Sequence, residues 1–169
     1  MKILLIASLA LVVLGLLAGL AGLLLPVTRT ASATREIAAP PEGVWRLITD
    51  VAAQPGWRPE LAAVEVLDAT PGRERWIERP RGGPAIRFQT ERQVAPTEWT
   101  IVFSGPAEGR WTGRLEPLPD NRGTRLSVEE IASVRNPWMR LLARLVFDPQ
   151  VFVDAYLRQV AAEAEKGGR

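Results

Sequence analysis

Residues 3 to 25 carry no charged side chain, and Ser8 is their one polar interruption. Beyond Pro26 the pattern changes to short apolar stretches broken by turn residues. A helix over 3–25 would reach roughly 34 Å at 1.5 Å per residue, enough to cross the hydrocarbon core of a bilayer. Residues 1–26 are therefore predicted to form a transmembrane signal-anchor, with the membrane as a partner through residues 3–25. A cleaved signal peptide competes with this reading, with Ala31-Ser32-Ala33 as the small-residue site. The apolar core of a signal peptide usually runs to about 7–15 residues, so the length favours the anchor. Lys2 favours a cytoplasmic N-terminus, although Arg29 and Arg35 flank the other end. The expectation is a single-pass membrane protein whose soluble domain is extracytoplasmic. Gly15 and Gly19 make a GxxxG spacing that could pair two such helices, but glycine is common in membrane helices in any case.

The next stretch, "VTRTASA" (27–33), is small and polar and reads as a linker. A domain over 34–166 then opens with a strand at "TREIA" (34–38). Pro40 and Pro41 end that strand, because proline lacks a ladder donor. Pro41 suits a first helical turn, and Glu42 suits its positive end. Val44, Trp45, Leu47, Ile48 and Val51 follow at helical spacing. "AAQPGWRPE" (52–60) breaks this helix. Six stretches of strand character come next, at 61–69, 73–80, 85–94, 98–104, 109–118 and 124–134. Turn-forming separators such as "TPG", "RGGP" and "PDNRG" divide them, which argues for an antiparallel meander. Trp99, Ile101 and Phe103 share one side of a strand, as do Trp111, Gly113 and Leu115; such a sheet has one buried and one wet face. Asn136-Pro137 and Asp148-Pro149 each read as an N-cap followed by proline at the first helical position. The second helix places Phe152, Val153, Tyr156, Leu157 and Val160 on one face and ends at Gly167-Gly168.

Composition changes this picture mainly by exclusion. The net charge of +2 comes without a basic run, which argues against a nucleic-acid partner. With no cysteine, no disulfide can staple the fold. With no histidine, Ser-His and Cys-His catalytic pairs and the commonest metal ligand are absent. No metal site and no cofactor are predicted.

The order strand, helix, helical break, strand run, long helix has a familiar counterpart. "REIAAPPEGVWRLITDVAAQPGWRP" with that run resembles the START-like helix-grip (SRPBCC) superfamily, in its polyketide cyclase/dehydrase and lipid-transport-like branch. Ile37, Ala39, Pro40, Val44, Trp45, Asp50, Trp57 and Pro59 carry the likeness, which extends over about residues 34 to 165. It implies an α+β helix-grip fold: a curved antiparallel sheet of about seven strands wrapped around the C-terminal helix, with an apolar cavity between them. It implies a hydrophobic small molecule or lipid as ligand.

Candidate ligand-binding residues are Trp57, Trp76, Glu78, Phe88, Trp99, Phe103, Trp111, Trp138, Phe152 and Tyr156. Against this stands ordinary core packing, since aromatic side chains dominate cores with or without a ligand. Trp57 lies in a Gly/Pro break, where loops carry function. Glu74, Trp76 and Glu78 share a strand face, as do Arg87, Gln89 and Glu91. If either set faces inward it offers acid–base groups or ligand hydrogen bonds; a solvated face of ion pairs is the plainer reading, and Glu130 has similar standing. Trp138, Arg140, Arg144 and Phe147 form a basic amphipathic segment suited to headgroups or to packing on the sheet. The expected function is membrane-tethered binding of a hydrophobic molecule. The alternatives are a cyclase- or dehydratase-like enzyme, which needs an inward ionisable residue, and a partner-binding domain whose cavity its own side chains fill.

Overall fold

A computed structural model describes residues 2–119 and 122–166, with the backbone alone at residues 3–5. The predicted stop at Gly167-Gly168 lies outside the described residues. Helix α1 (Lys2–Leu24) is followed by strand β1 (Thr28–Ile37), helix α2 (Pro41–Thr49) and a 3-10 segment (Val51–Gly56). Six further strands follow: β2 (Leu61–Asp68), β3 (Arg75–Pro80), β4 (Ile86–Val94), β5 (Glu98–Ser104), β6 (Glu108–Pro117) and β7 (Thr124–Ser133). Two helices close the chain, α3 (Pro137–Val146) and α4 (Pro149–Ala164).

The seven strands form one antiparallel sheet in the order β1-β7-β6-β5-β4-β3-β2. Each hairpin neighbour pairs with the next, and β1 closes on β7 by pairing Thr28 with Ser133 through to Ile37 with Thr124. Register shifts in β2 and between Thr90 and Arg92 mark bulges, which bend and twist a sheet. In β7 the inward residues Thr124, Leu126, Val128 and Glu130 alternate with exposed Arg125 and Glu129. The sheet grips α4, which buries Val153, Tyr156, Leu157, Val160 and Ala161. A fully buried Val or Leu contributes about 1.5–3 kcal/mol. The Gln150 side chain pins α4 to the sheet edge, donating to the Ser32 carbonyl (3.0 Å) and accepting from the Ser32 amide (3.3 Å). At the far end α2 packs Val44, Trp45 and Ile48 into the core.

One predicted boundary is corrected. Of residues 27–33, read as a linker, 28–33 are instead the first part of β1: Thr28 to Ala33 pair with β7, and Ala31 is 2% exposed in the core. The small polar side chains misled because β1 is an edge strand with one wet face, where Thr and Ser are at home.

Candidate functional site

The sheet's inner face, α3 and α4 enclose a cavity of about 570 Å³. Phe103, Phe88, Trp76, Trp99, Trp111 and Tyr156 form its continuous aromatic wall. Phe88 tilts against Phe103 at 5.8 Å, and Trp76 stacks on Phe88 at 5.3 Å and on Trp99 at 5.7 Å. Trp99 meets Trp111 edge-on at 5.9 Å, and Trp111 meets Tyr156 edge-on at 5.6 Å. Strand alternation puts these rings on one face, and register makes them neighbours: Trp76 lies opposite Phe88, and Phe88 opposite Phe103. Gly113 provides the seat for Trp111, since a Cβ there would lie 2.6 Å from the indole ring. Two of the three indole N–H groups in the wall are hydrogen-bonded within the protein: Trp99 donates to Thr90 Oγ1 (3.2 Å) and Trp76 to Glu78 Oε1 (3.3 Å).

Under β2 the lining turns polar. Arg58, 5% exposed, donates to Gln54 Oε1 (2.7 Å), Glu60 Oε1 (2.8 Å) and Glu78 Oε1 (3.1 Å). Its guanidinium also stands 5.5 Å from the Tyr156 ring centroid. Gln159 donates to the other oxygen of Glu60 (3.1 Å), and Gln54 to the Ile48 carbonyl (3.0 Å). Burial alone would lower the Arg58 pKa, but Glu78, Tyr156 and Glu60 outweigh it and hold it above the ordinary value. Burial pulls Glu60 the other way, and Arg58 overrides it, leaving that carboxyl below the usual range. Burial raises the Tyr156 phenol further above its ordinary value.

Glu130 stands apart from this cluster. It is 8% exposed on β7, opposite Trp111 in register, and lines the cavity. No hydrogen-bond partner among the described residues satisfies its carboxyl. Burial pushes its pKa up to about 7, against a smaller opposing pull from Arg58. The arrangement offers apolar and aromatic contact over most of the surface, with one proton-exchanging carboxyl near neutrality. No group of three or more carboxylates is placed to hold a metal ion among the described residues.

Eight of the predicted ligand contacts line this cavity: Trp76, Glu78, Phe88, Trp99, Phe103, Trp111, Phe152 and Tyr156. Two do not. Trp57 packs behind Tyr156, at 6.1 Å, and is partly buried against the core. Trp138 turns away onto α1, where its ring covers Gly15 and Gly19. The period that placed Trp138 on a helix face was right, but α1 occupies that face. A Cβ at Gly19 would lie 2.8 Å from the Trp138 ring, so the contact is close there, whereas Gly15 has room for a side chain. The two strand faces weighed above divide: Glu78 faces inward, whereas Arg87, Gln89 and Glu91 are exposed. The buried Arg58 went unrecognised. The signal for it was indirect, since a carboxylate sharing a face with buried Trp76 needs a cation.

Residues 28–165 match the family model described as polyketide cyclase / dehydrase and lipid transport. Among solved structures the chain is similar to the ZhuI aromatase/cyclase of Streptomyces sp. R1128, with 18% identity and a TM-score of 0.66 over 84% of this chain and 96% of that one. It is similar to TTHA0849 of Thermus thermophilus, with 22% identity and a TM-score of 0.67 over 83% of this chain and all of that one (100%). It is also similar to StfQ, a di-domain aromatase/cyclase of the steffimycin biosynthetic pathway, with 12% identity and a TM-score of 0.66 over 84% of this chain and 52% of that one. At these identities the likeness is one of fold. No curated protein sequence matches significantly.

Proposed function

The chain belongs to the polyketide cyclase/dehydrase and lipid-transport family, and from that premise we propose that it binds a hydrophobic small molecule or lipid in the cavity while α1 tethers it to a membrane. The observation that carries the binding reading is the unbroken aromatic wall around about 570 Å³ of space. Ligand sites are commonly clefts of about 300–1,000 Å³ with mostly apolar walls and a few placed polar groups. Here the placed groups are Glu130 and the Arg58–Glu78 pair, so the favoured ligand is apolar with one polar end. Tethering draws support from the cleavage alternative. A cut at Ala31-Ser32-Ala33 would sever β1 in the middle of its ladder with β7 and release buried Ala31. Helix α1 also contains a 19-residue apolar span from Ile6 to Leu24 most of whose side chains are exposed.

The test is a titration of the full chain in detergent with a panel of fatty acids, phospholipids and polycyclic aromatic compounds. A saturable change in tryptophan fluorescence with one-to-one stoichiometry is expected, because three of the six tryptophans, Trp76, Trp99 and Trp111, line the cavity. An unchanged spectrum across the panel would overturn the binding reading.

A catalytic reading has one observation in its favour, the buried, cavity-lining Glu130 carboxyl, which burial raises to a pKa of about 7 against the opposing pull of Arg58. A group that exchanges its proton near neutrality suits general acid–base work on a bound carbonyl compound. On this reading Glu130→Gln abolishes turnover and leaves binding intact. Equal turnover by the variant would remove Glu130 from any chemistry.

A further inference from the structure

The walls of the cavity leave one element unexplained. Helix α3 contributes Met139, Leu142 and Val146 to the lining, yet much of its apolar surface faces outward. Leu145 is 75% exposed, Val146 72% and nearby Val151 61%. A contiguous exposed apolar face marks a surface that something covers.

We propose that α3 is a lip of the cavity that inserts into the same bilayer as α1, so that an apolar ligand passes between bilayer and cavity without entering water. This rests on the reading of α1 as an anchor and extends it to a second element. Continuity identifies the occupant. Helices α1 and α3 pack side by side, with Trp138 over Gly15 and Gly19 and the Pro137 carbonyl against Gly22. A Cβ at Gly22 would collide with that carbonyl, so the two backbones meet there. Buried Arg140 then fastens the junction. Its guanidinium donates to the Gly22 and Leu25 carbonyls at the end of α1 (3.0 Å each), to Val134 (3.0 Å) and to Arg135 (2.9 Å). These bonds satisfy carbonyls that the end of a helix leaves without partners. An α1 that spans a bilayer therefore holds α3 against its last turns, at the depth of the acyl chains or just above them.

Topology brings one end of the cavity to the same place. The start of β1, the end of β7, the start of β6 and the end of β5 lie at one end of the sheet. Pro26 and Val27 line the cavity there, as do Pro106 and Ala107 at the β5–β6 turn. The cavity thus reaches the point where α1 enters the domain. Arg144 is exposed on α3 beside this apolar face. Basic and apolar residues together suit a helix lying at a headgroup boundary.

The chain has no cysteine, so single cysteines can report position without background. Full-length Leu145→Cys, Leu16→Cys and Arg79→Cys, each labelled with bimane, would be reconstituted in phosphatidylcholine–phosphatidylglycerol vesicles containing doxyl-labelled phosphatidylcholine. Leu16 reports on the anchor, Leu145 on the lip, and Arg79 on the wet face of β3. The expected result is loss of most fluorescence at positions 16 and 145 and none at 79. Quenching at 16 with position 145 as bright as 79 overturns the lip and leaves the anchor standing. Brightness at 16 equal to that at 79 removes the anchor, and the lip falls with it. A label at 145 that is unquenched by lipid but shielded from aqueous iodide means that a protein surface covers α3, which also overturns the proposal.

Discussion

Glu78, Glu130 and Arg58 are charged side chains that the fold buries against the cavity's aromatic wall. Glu78 and Glu130 look like any other strand carboxylates; only the register that puts Trp76 and Trp111 beside them makes them inward. Their state follows from burial and charge. In the unfolded chain Glu130 ionises near pH 4.5, whereas in the folded chain it holds its proton to about 7. Between those values the native state binds the extra proton, so this group's contribution to stability declines as pH rises and is at its most unfavourable above 7. Glu130→Gln should therefore be more stable than the parent at pH 8, by about 3 kcal/mol at most, with little difference at pH 4. Denaturation curves at the two pH values check this. An advantage that does not depend on pH would contradict it. Arg58→Met has the opposite sign, since it leaves buried Glu78 without its cation and should cost about 3–5 kcal/mol. Adding Glu78→Gln to that variant should recover part of the loss in the same assay.

At the scale of elements the sequence is a good guide. Alternation of apolar positions and turn residues placed six strands to within a few residues, and the Asn136-Pro137 and Asp148-Pro149 caps mark the starts of α3 and α4. Two features escaped it. The edge position of β1 hid a strand under a linker-like composition. The partner of Trp138 is α1, more than a hundred residues away, and no local period encodes such a contact. The α1–α3 junction is accordingly the element-level claim most in need of mutation. Arg140→Leu removes the four donated bonds that tie α3 to the end of α1 and to the end of β7. Bonds from a charged group contribute about 1.5–3 kcal/mol each, and a loss of even 1.4 kcal/mol is tenfold in an opening equilibrium. Tryptic cleavage of the detergent-solubilised chain at Arg29 should accelerate by at least about tenfold. Cleavage at the parent rate would show that the junction is held by the glycine–tryptophan contact alone.

For the whole molecule, a helix-grip domain with an apolar cavity beside an apolar N-terminal helix is the frame on which the proposed binding of a hydrophobic molecule near a membrane rests. The family likeness pointed to that cavity from a few residues around Pro40 and Trp45. It could not supply the residues that walled the cavity, because those are set by a sheet assembled from distant segments. The cavity can be narrowed without touching the aromatic wall. Ala132 faces inward on β7 and lines it, so Ala132→Phe fills space at the cost of modest overpacking, about 1–3 kcal/mol. Native mass spectrometry of the full chain and of Ala132→Phe, both purified from cells in the same detergent, is the measurement to make first. The expected spectrum of the parent carries a stoichiometric hydrophobic adduct that solvent extraction recovers, and the variant lacks it. An apo parent, or an adduct held equally by both, would mean that the cavity is not where this protein meets a ligand.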